Sequence, residues 1–373
     1  MDKHLHIVCL DVPYPVDYGG VVDLFYKITA LHQQGIKIHL HCFEYGRGKQ
    51  DELSKYCEEV FYYKRRRGLK AFSLGLPYIV SSRKNKELLA NLLKDDYPVL
   101  LEGIHCTYYL YKNKLPGKKV LVRLHNVEFE YYSQLAKSTT SFFRKTYFLI
   151  ESYLLKKYEE KVLSKAIFIA VSLKDAVVYE REFNATDIRF LPVFLPCTSI
   201  NSKEGKGNYC LYHGNLSVAE NEKAATWLLQ HVFSKLSIPF VIAGKDPSEK
   251  LIRSLKTKTN ICLVANPDES EMCDLISKAQ INILPSMNAT GIKLKLLNVL
   301  FNGRHAIVND ATVKGTGFGP ACHVAGNASG FKSIVTQLYH RPFTEDETVL
   351  RNSLLQNVFD NKKNAERLIQ WIW

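Results

Sequence analysis

The segment 284–308 contains the residue types and the spacing of a phosphate-binding site. A short apolar strand leads through Pro-Ser into a polar loop that closes on Gly291, and an amphipathic helix then starts with Lys293 and Lys295. Backbone N–H groups at the start of a helix lack intrahelical partners, and the helix dipole favours an anion there. Because the two lysines add positive charge, the segment predicts a site for a nucleotide diphosphate.

The same residues resemble the donor-site motif of retaining glycosyltransferases of the GT-B architecture, family 4 type. The run from Lys295 to Asn298 stands where the family has Lys-Leu-Leu-Glu, and residues 303–308 stand where it has Gly-x-Pro-Val-Val. The two motif glutamates correspond to Thr290 and Asn298, so both carboxylates are missing. The amide of Asn298 can still hydrogen-bond a ribose hydroxyl. The resemblance assigns six residues to binding of a nucleotide-sugar donor: Thr290, Gly291, Ile292, Lys293, Lys295 and Asn298.

A loop with a glycine pair follows the first predicted strand, in Pro-x-Asp-Tyr-Gly-Gly. Glycines there allow a ligand to approach the backbone, and a tight turn with positive φ accounts for the same residues. The loop resembles the glycine loop in the family's first domain. The resemblance therefore implies donor contacts for Gly19 and Gly20 and places Tyr18 on the acceptor side.

A second polar loop, residues 123–128, follows another predicted strand. The family has a histidine at this kind of position, near the reacting end of the donor sugar, so the resemblance implies a catalytic role for His125. It also places Asn126 and Glu128 on the acceptor side. Two structural interpretations stay open: His125 as a hydrogen-bonding residue, and Glu128 as a helix-start acid that complements the dipole.

Two further segments of the second half resemble donor-binding parts of the family. Residues 212–217 stand where an Arg and a later Lys clamp the diphosphate, with Asn215 in place of the Arg. The resemblance assigns Gly214, Asn215 and Lys223 to the donor, although Asn221 fits the position of the Lys equally well. Asn266 lies in the loop that resembles the nucleobase-holding loop.

Short apolar strands, among them 99–102, 120–124, 261–265 and 281–284, alternate with helices, among them 223–236, along the whole chain. This alternation predicts an α/β fold with parallel sheets covered on both faces. A connection that is first Pro-bearing and then polar and Gly-rich, residues 192–208, separates two such series. With the resemblance, this predicts a GT-B architecture of two Rossmann-like domains that face each other across a cleft. The expected parts are an acceptor domain at 1–192, a nucleotide-sugar donor domain at 208–345, and a C-terminal helix at about 350–373 that packs back on the first domain.

Length and composition argue against a membrane-spanning, a secreted or a disulfide-bonded protein. A chain of 373 residues accommodates two domains, and 46% hydrophobic with 23% charged residues is typical of a globular protein. No run reaches the roughly 18 apolar residues of a membrane span, and no signal peptide precedes the first strand. Nine cysteines without a Cys-x-x-Cys pair predict free thiols in a reducing cytoplasm, with Cys9, Cys210 and Cys262 buried.

The net charge of +13 indicates an anionic partner. The densest basic run, residues 64–67, lies between aromatic residues, which suits the headgroups of an anionic membrane. A solvated loop explains the run equally well. No nucleic-acid-binding motif accompanies the charge, so nucleic acid is not an expected partner.

Together the sequence predicts a glycosyltransferase, of the hexosyltransferase type, that moves a sugar from a nucleotide-sugar donor to a glycan or lipid-linked acceptor in bacterial cell-surface polysaccharide synthesis. The resemblance implies retention of configuration, no metal and no cofactor. The expected location is the cytoplasm, with peripheral contact at the inner face of the plasma membrane. Two alternatives stay open: a non-catalytic nucleotide-sugar-binding protein, and a GT-B nucleotide-sugar epimerase with Glu128 as its acid/base.

Overall fold

The computed structural model describes residues 2–17, 19–255, 258–287, 291 and 293–373. The chain divides into two compact units, Met1–Pro196 with Phe359–Trp373 and Cys197–Val358. Each unit is built on one parallel sheet with helices between successive strands. This is the α/β architecture of two Rossmann-like domains that the alternation of strands and helices predicts.

The strands are short and largely apolar, because both faces of a parallel sheet are covered. Seven strands form the first sheet: β1 (His4–Cys9), β2 (Lys37–Glu44), β3 (Glu59–Lys64), β4 (Val99–Glu102), β5 (Val120–Leu124), β6 (Ile167–Ala170) and β7 (Ile188–Phe190). Six form the second: β8 (Cys210–His213), β9 (Phe240–Gly244), β10 (Ile261–Ala265), β11 (Ile281–Leu284), β12 (His305–Val308) and β13 (His323–Val324).

The helices of the first unit are α1 (Gly19–Gln33), α2 (Tyr78–Ser81), α3 (Lys86–Leu92), α4 (Tyr108–Tyr111), α5 (Glu128–Ser138), α6 (Phe142–Leu163) and α7 (Leu173–Phe183). Those of the second are α8 (Ala219–Trp227), α9 (Glu249–Leu255), α10 (Glu269–Lys278), α11 (Leu294–Asn302), α12 (Asp310–Val313), α13 (Ala328–Tyr339) and α14 (Glu345–Leu355). A last helix, α15 (Asn361–Ile372), belongs to the first unit. None of the helices within the described ranges combines the length and the apolar character that a bilayer span needs.

The first sheet has the order β3-β2-β1-β4-β5-β6-β7, so the direction of winding reverses between β1 and β4. Alternate residues of each strand point to opposite faces. Ile7 and Leu100 belong to one apolar core and Val8 and Leu101 to the other. The paired strands β4 and β5 place Glu102 beside Arg123 at their carboxyl ends.

The C-terminal helix α15 completes one of these cores. Its Leu368 and Ile372 are buried in the same cluster as Leu24 and Ile28 of α1. The structure differs from the expected single helix at about 350–373 in one respect, because α14 reaches Leu355 and belongs to the second unit.

The second sheet has the order β10-β9-β8-β11-β12-β13, and its winding reverses between β8 and β11. The sequence did not predict the edge strands β7 and β13, which have only three and two residues. The helix expected at 223–236 begins earlier, in α8, and continues as a π-turn at Leu228–Val232.

All nine cysteines are free thiols. Cys9 and Cys210 are buried, as the sequence predicts. The prediction for Cys262 was wrong, because β10 is an edge strand and its Cys262 is exposed.

Candidate functional site

The winding of the second sheet creates a crevice at the carboxyl ends of β8 and β11. Connections leave these neighbouring strands in opposite directions, and ligands of open α/β sheets bind at such a point. The loop after β8 carries Gly214 and Asn215, and the loop after β11 carries Ser286. The segment predicted to bind a diphosphate therefore starts at this edge of the sheet.

Helix α11 begins directly after the loop that contains Gly291. Gly291 has a φ of +63°, a left-handed conformation that favours glycine. Lys293 occupies the N-cap position, and its side chain makes no capping hydrogen bond to the helix. The first turn of α11, which this side chain does not cap, brings backbone N–H groups and the positive end of the helix dipole to this point, as an anion site requires.

The ammonium of Lys295 lies beside neutral groups at this helix start. Its Nζ donates to Asn221 Oδ1 at 3.3 Å and lies 5.2 Å from the centre of the Tyr212 ring. Burial lowers the pKa of Lys295 to about 8, Glu220 opposes this shift, and Lys293 adds to it. No ion pair joins Lys295 to a carboxylate within the described ranges, so its charge is available to an anion.

The loop after β8 is fixed by hydrogen bonds from α8. Asn221 Nδ2 donates to the backbone oxygen of Asn215 at 2.9 Å, and Asn215 Oδ1 accepts from the amide and the hydroxyl of Ser217. Gly244, at the end of β9, makes this packing possible, because a Cβ there would lie 1.8 Å from the carbonyl oxygen of Gly214. The Asn215 side chain thus stabilises the turn of this loop through its hydrogen bonds to Ser217.

A carboxylate that the motif comparison missed lies at the same edge. Glu220 Oε1, in the first turn of α8, accepts from the Ser286 hydroxyl at 3.2 Å. Its charge also raises the pKa of Lys295. The motif positions 290 and 298 lack carboxylates, but α8 supplies one beside β11. An acidic residue in a helix start is common, so the sequence contained little signal for it.

The side chain of His213 ends β8 beside Lys295. It is buried, and its Nε2 has no hydrogen-bond partner among the residues that the structure describes. Burial, with a smaller contribution from Lys295, lowers the pKa of His213 to about 3, so the ring is neutral at physiological pH. A neutral imidazole can donate or accept one hydrogen bond there.

The remaining predicted donor residues have different surroundings. Asn298 Oδ1 accepts from Asn302 within α11 at 2.7 Å. Asn266 has a φ of +53° and holds the neighbouring loop through the backbone amide of Asp246. Lys223 is exposed on α8, and it is Asn221 that contacts Lys295. Three other predicted site residues lie outside the described residues: Tyr18, Thr290 and Ile292.

The carboxyl edge of the first sheet carries a buried network of four charges. Arg123 binds both oxygens of Asp23, at 2.7 and 2.8 Å. Lys27 Nζ lies 3.1 Å from Asp23 Oδ2 and 2.7 Å from Glu102 Oε1. All four side chains are buried, and their two positive and two negative charges balance. The neighbouring charges, Arg123 foremost, hold the pKa of Asp23 far below its usual range against the opposing effect of burial.

His125 lies at the outer end of this network. Its Nε2 is 2.9 Å from Glu102 Oε2, and its Nδ1 is 4.0 Å from Asp23 Oδ2. Both ring nitrogens thus face carboxylates, and the ring itself is half-buried. The sequence left open a catalytic or a structural role for His125, and these contacts supply the structural one. The catalytic role stays a prediction.

Glu128 and Asn126 follow His125 at the same edge. Glu128 is the first residue of α5 and is buried. Burial raises the pKa of Glu128 to about 7, against the opposing effects of Arg83 and of a hydrogen bond from Asn126. Such a carboxyl group can accept or release a proton near neutral pH. Gly19 and Gly20 are the first two residues of α1, so their backbone is helical and does not form the positive-φ turn.

No protein-family model matches the chain. The chain is similar to an uncharacterized 44.6 kDa protein in a cps region of Klebsiella pneumoniae. The two are 26% identical over 385 aligned residues, and the alignment covers 96% of each chain.

Three solved structures have a similar fold over nearly the whole chain. TarM has a TM-score of 0.71 at 11% identity and covers 100% of this chain and 99% of its own. A glycosyltransferase from Rickettsia africae has a TM-score of 0.66 at 14% identity and covers 100% and 98%. A trehalose-6-phosphate protein from E. coli, bound with UDP-2-fluoro glucose, has a TM-score of 0.63 at 9% identity and covers 99% of each chain. The fold of the chain is thus that of GT-B glycosyltransferases.

Proposed function

We propose that this protein is a glycosyltransferase that moves a sugar from a nucleotide-diphosphate donor to a glycan or lipid-linked acceptor. The fold shared with a glycosyltransferase and with a protein bound to UDP-2-fluoro glucose supports this class of reaction. The relative from a cps region supports a role in bacterial cell-surface polysaccharide synthesis.

The single observation that carries the proposal is the Lys295 ammonium at the start of α11. It has an amide and an aromatic ring as neighbours, and it lies at the point where the second sheet reverses its winding. A diphosphate bound there would receive hydrogen bonds from backbone N–H groups and charge from Lys295. As the bond to the sugar breaks, the same groups would stabilise the negative charge on the leaving phosphate.

The proposed reaction retains the configuration of the sugar and requires neither metal nor cofactor. The acceptor oxygen attacks the anomeric carbon on the face from which the diphosphate leaves, and the acceptor proton passes to a phosphate oxygen. Glu220 provides a carboxylate near the donor in place of the missing motif glutamates, and it would bind sugar hydroxyls. His125 would act near the reacting end of the donor sugar, and Asn126 and Glu128 would lie on the acceptor side.

A nucleotide-binding experiment tests the donor site. Calorimetry with UDP, GDP, ADP, CMP and dTDP is expected to detect one preferred nucleotide, and Lys295→Ala is expected to weaken its binding. Lys278→Ala is the matched control, because Lys278 is an exposed lysine on α10 of the same unit. Failure of every nucleotide to bind, or equal binding by both variants, would contradict the donor site and favour a protein without this activity.

The acceptor side of the proposal includes peripheral contact with an anionic membrane at the inner face of the plasma membrane. Phe142 and Phe143 at the start of α6 are 76% and 85% exposed, and Leu74 in the loop before α2 is 88% exposed. The loop and α6 are joined, because Glu151 accepts from the backbone amide of Tyr78 at 2.8 Å. Exposed apolar residues in the unit that also carries the basic run 64–67 suit lipid headgroups.

Vesicle co-sedimentation tests the membrane contact. Replacement of Phe142 and Phe143 by serine is expected to reduce binding to anionic vesicles, whereas Val349→Ser, an exposed apolar residue on α14, is expected to leave it unchanged. Binding that does not depend on anionic lipid would contradict this part of the proposal.

The epimerase alternative is favoured by one observation, the pKa of Glu128 near 7. An epimerase would use this group as its acid/base and water in place of an acceptor. Incubation of the preferred nucleotide sugar without any acceptor distinguishes the two functions. A changed sugar that Glu128→Gln abolishes would support the epimerase, and an unchanged nucleotide sugar would support the transferase.

A further inference from the structure

Three possible metal ligands lie together at the amino end of the second sheet. His305 and His323 are the first residues of the parallel strands β12 and β13, and Glu347 lies in the first turn of α14. One ligand atom from each residue lies within 4.8 Å of the other two. The proposed donor site lies at the carboxyl ends of β8 and β11 in the same sheet, so this cluster is a separate feature of the molecule.

The hydrogen bonds of His305 determine which ring nitrogen is available. Its Nε2 lies 3.1 Å from the backbone oxygen of Arg341, which can only accept. In the neutral ring the proton is therefore on Nε2, and Nδ1 keeps its lone pair. A backbone carbonyl that fixes a histidine in this way is the usual support of a metal ligand.

The Nδ1 atom of His305 faces a carboxylate without a hydrogen bond between them. His305 is buried, and Nδ1 lies 3.1 Å from Glu347 Oε1. Despite this distance, Nδ1 makes no hydrogen bond among the residues that the structure describes. Two ligand atoms on one tetrahedral zinc ion, with bonds of about 2.0–2.2 Å, lie roughly 3.3 Å apart. The contact has the spacing of two ligands that share an ion.

Two arginines lie near the cluster, and their positive charge opposes the binding of a cation. The hydrogen bonds and the exposure of these arginines reduce this repulsion. Arg341 Nη2 donates to Glu347 Oε1 at 2.7 Å, but its side chain is 45% exposed and can turn to solvent. Arg351 is buried and donates to the backbone oxygens of Leu300, Gly303 and Arg304. The backbone amide of Thr344 donates to the second oxygen of Glu347, which fixes the carboxylate and leaves Oε1 directed at His305.

We propose that His305, His323 and Glu347 form a zinc site that ties α14 to the edge of the second sheet. Two imidazoles and one carboxylate are a ligand set that zinc accepts, whereas magnesium and calcium prefer oxygen ligands alone. The fourth position would be taken by water. The ion would bind the very short edge strand β13 to β12 and to the start of α14.

Metal analysis of the full chain tests this site. Protein freed of metal with a chelator and then dialysed against zinc is expected to bind one equivalent that depends on this cluster. The variant His323→Gln is expected to lose at least tenfold in zinc affinity. The matched control His340→Gln, an exposed histidine at the end of α13, is expected to bind zinc like the unchanged protein. With cobalt in place of zinc, a tetrahedral visible spectrum is expected in the control and not in His323→Gln.

Two results would overturn the site: no zinc bound by the unchanged protein, or equal zinc affinity in His323→Gln and in the control. Zinc on the histidines of β1 and β2 would give the second result, because those residues are in the first unit. If His323→Gln does not fold, Glu347→Gln replaces it, since the amide keeps an acceptor for Thr344. None of these measurements depends on nucleotide binding, so the zinc site and the proposed function can fail separately.

Discussion

The carboxyl edges of the two sheets differ in how their buried charges are paired. In the first unit, Asp23, Lys27, Glu102 and Arg123 are buried and neutralise one another. In the second unit, Lys295 is half-buried beside a neutral amide, and among the described residues no carboxylate lies within ion-pair distance of it. Both edges belong to the same kind of sheet, so the fold alone does not explain the difference.

The difference indicates which edge is complete without a ligand. A buried ion pair that loses one partner leaves an uncompensated charge, which is costly, so the first network supports the unit itself. Burial of the Lys295 ammonium is only partly offset by the charge of Glu220, which costs the unit stability, and an anionic ligand would reduce this cost. We therefore expect substitutions in the first network to affect stability and substitutions at Lys295 to affect binding.

The largest expected effect is the loss of Arg123. Arg123→Met leaves the Asp23 carboxylate with Lys27 as its remaining cationic partner, and the free energy of unfolding is expected to fall by about 3–5 kcal/mol. Chemical denaturation measures this change. Arg181→Met removes an exposed arginine of α7 as the control, and its effect is expected to be much smaller. Equal losses in the two variants would contradict a buried network that supports the unit.

The replacement of Lys295 is expected to have the opposite pattern. Lys295→Met would remove the charge-assisted contact that we propose with the diphosphate, worth about 1.5–3 kcal/mol, so nucleotide affinity is expected to fall by about 10- to 100-fold. The stability of the free protein is expected to stay the same or to rise, because a partly buried charge is removed. Calorimetry and denaturation on the same samples check both expectations, and a large loss of stability would contradict the comparison.

Glu128 belongs to the first unit but not to its buried charge network, and its pKa predicts a pH-dependent stability. The pKa of Glu128 is raised to about 7, so the folded protein holds a proton that the unfolded chain releases near pH 4.5. This contribution to stability is complete below pH 4.5 and is lost as the pH rises through 7. Glu128→Gln is therefore expected to match the unchanged protein at pH 5 and to exceed its stability by roughly 2 kcal/mol at pH 8. Glu160→Gln, an exposed acid on α6, is the control that is expected to show no such pH dependence.

The smallest expected effect is the pH dependence of donor binding. The pKa of Lys295 is lowered to about 8, so the free protein loses this cation as the pH rises through 8. Diphosphate affinity is expected to fall about tenfold between pH 7 and pH 9, and Lys295→Met is expected to remove this dependence. The free energy of unfolding changes with pH in the opposite direction. The unfolded chain keeps the lysine proton up to about pH 10.5, whereas the folded protein releases it near pH 8. Stability is therefore expected to rise between pH 8 and 10.5. An affinity that does not change with pH would contradict a role for the Lys295 charge.

Much of the fold could be predicted from local patterns. The strands at 99–102, 120–124, 261–265 and 281–284 have the predicted bounds, because continuous apolar runs between helices are a clear signal of buried parallel strands. The edge strands β7 and β13 were missed, since two or three residues are too few to form a pattern.

The site could be predicted less completely. Glycine and lysine at a helix start are close together in the sequence, so the pattern that predicts an anion site at α11 was visible. The contact between Asp23 and Arg123 joins residues 100 positions apart, and Glu220 meets Ser286 from 66 positions away. Nothing in the spacing of such residues indicates that they meet, and only the packing of helices on the sheet brings them together.

The membership of α15 in the first unit has a consequence for the order in which the protein folds. In the sequence, the second unit is an insertion between two parts of the first, because residues 359–373 complete the core that α1 begins. During synthesis the ribosome releases all of Cys197–Val358 before it releases Leu368 and Ile372. Although N-terminal domains generally fold first, here the later unit can finish while the earlier one still lacks part of its interior.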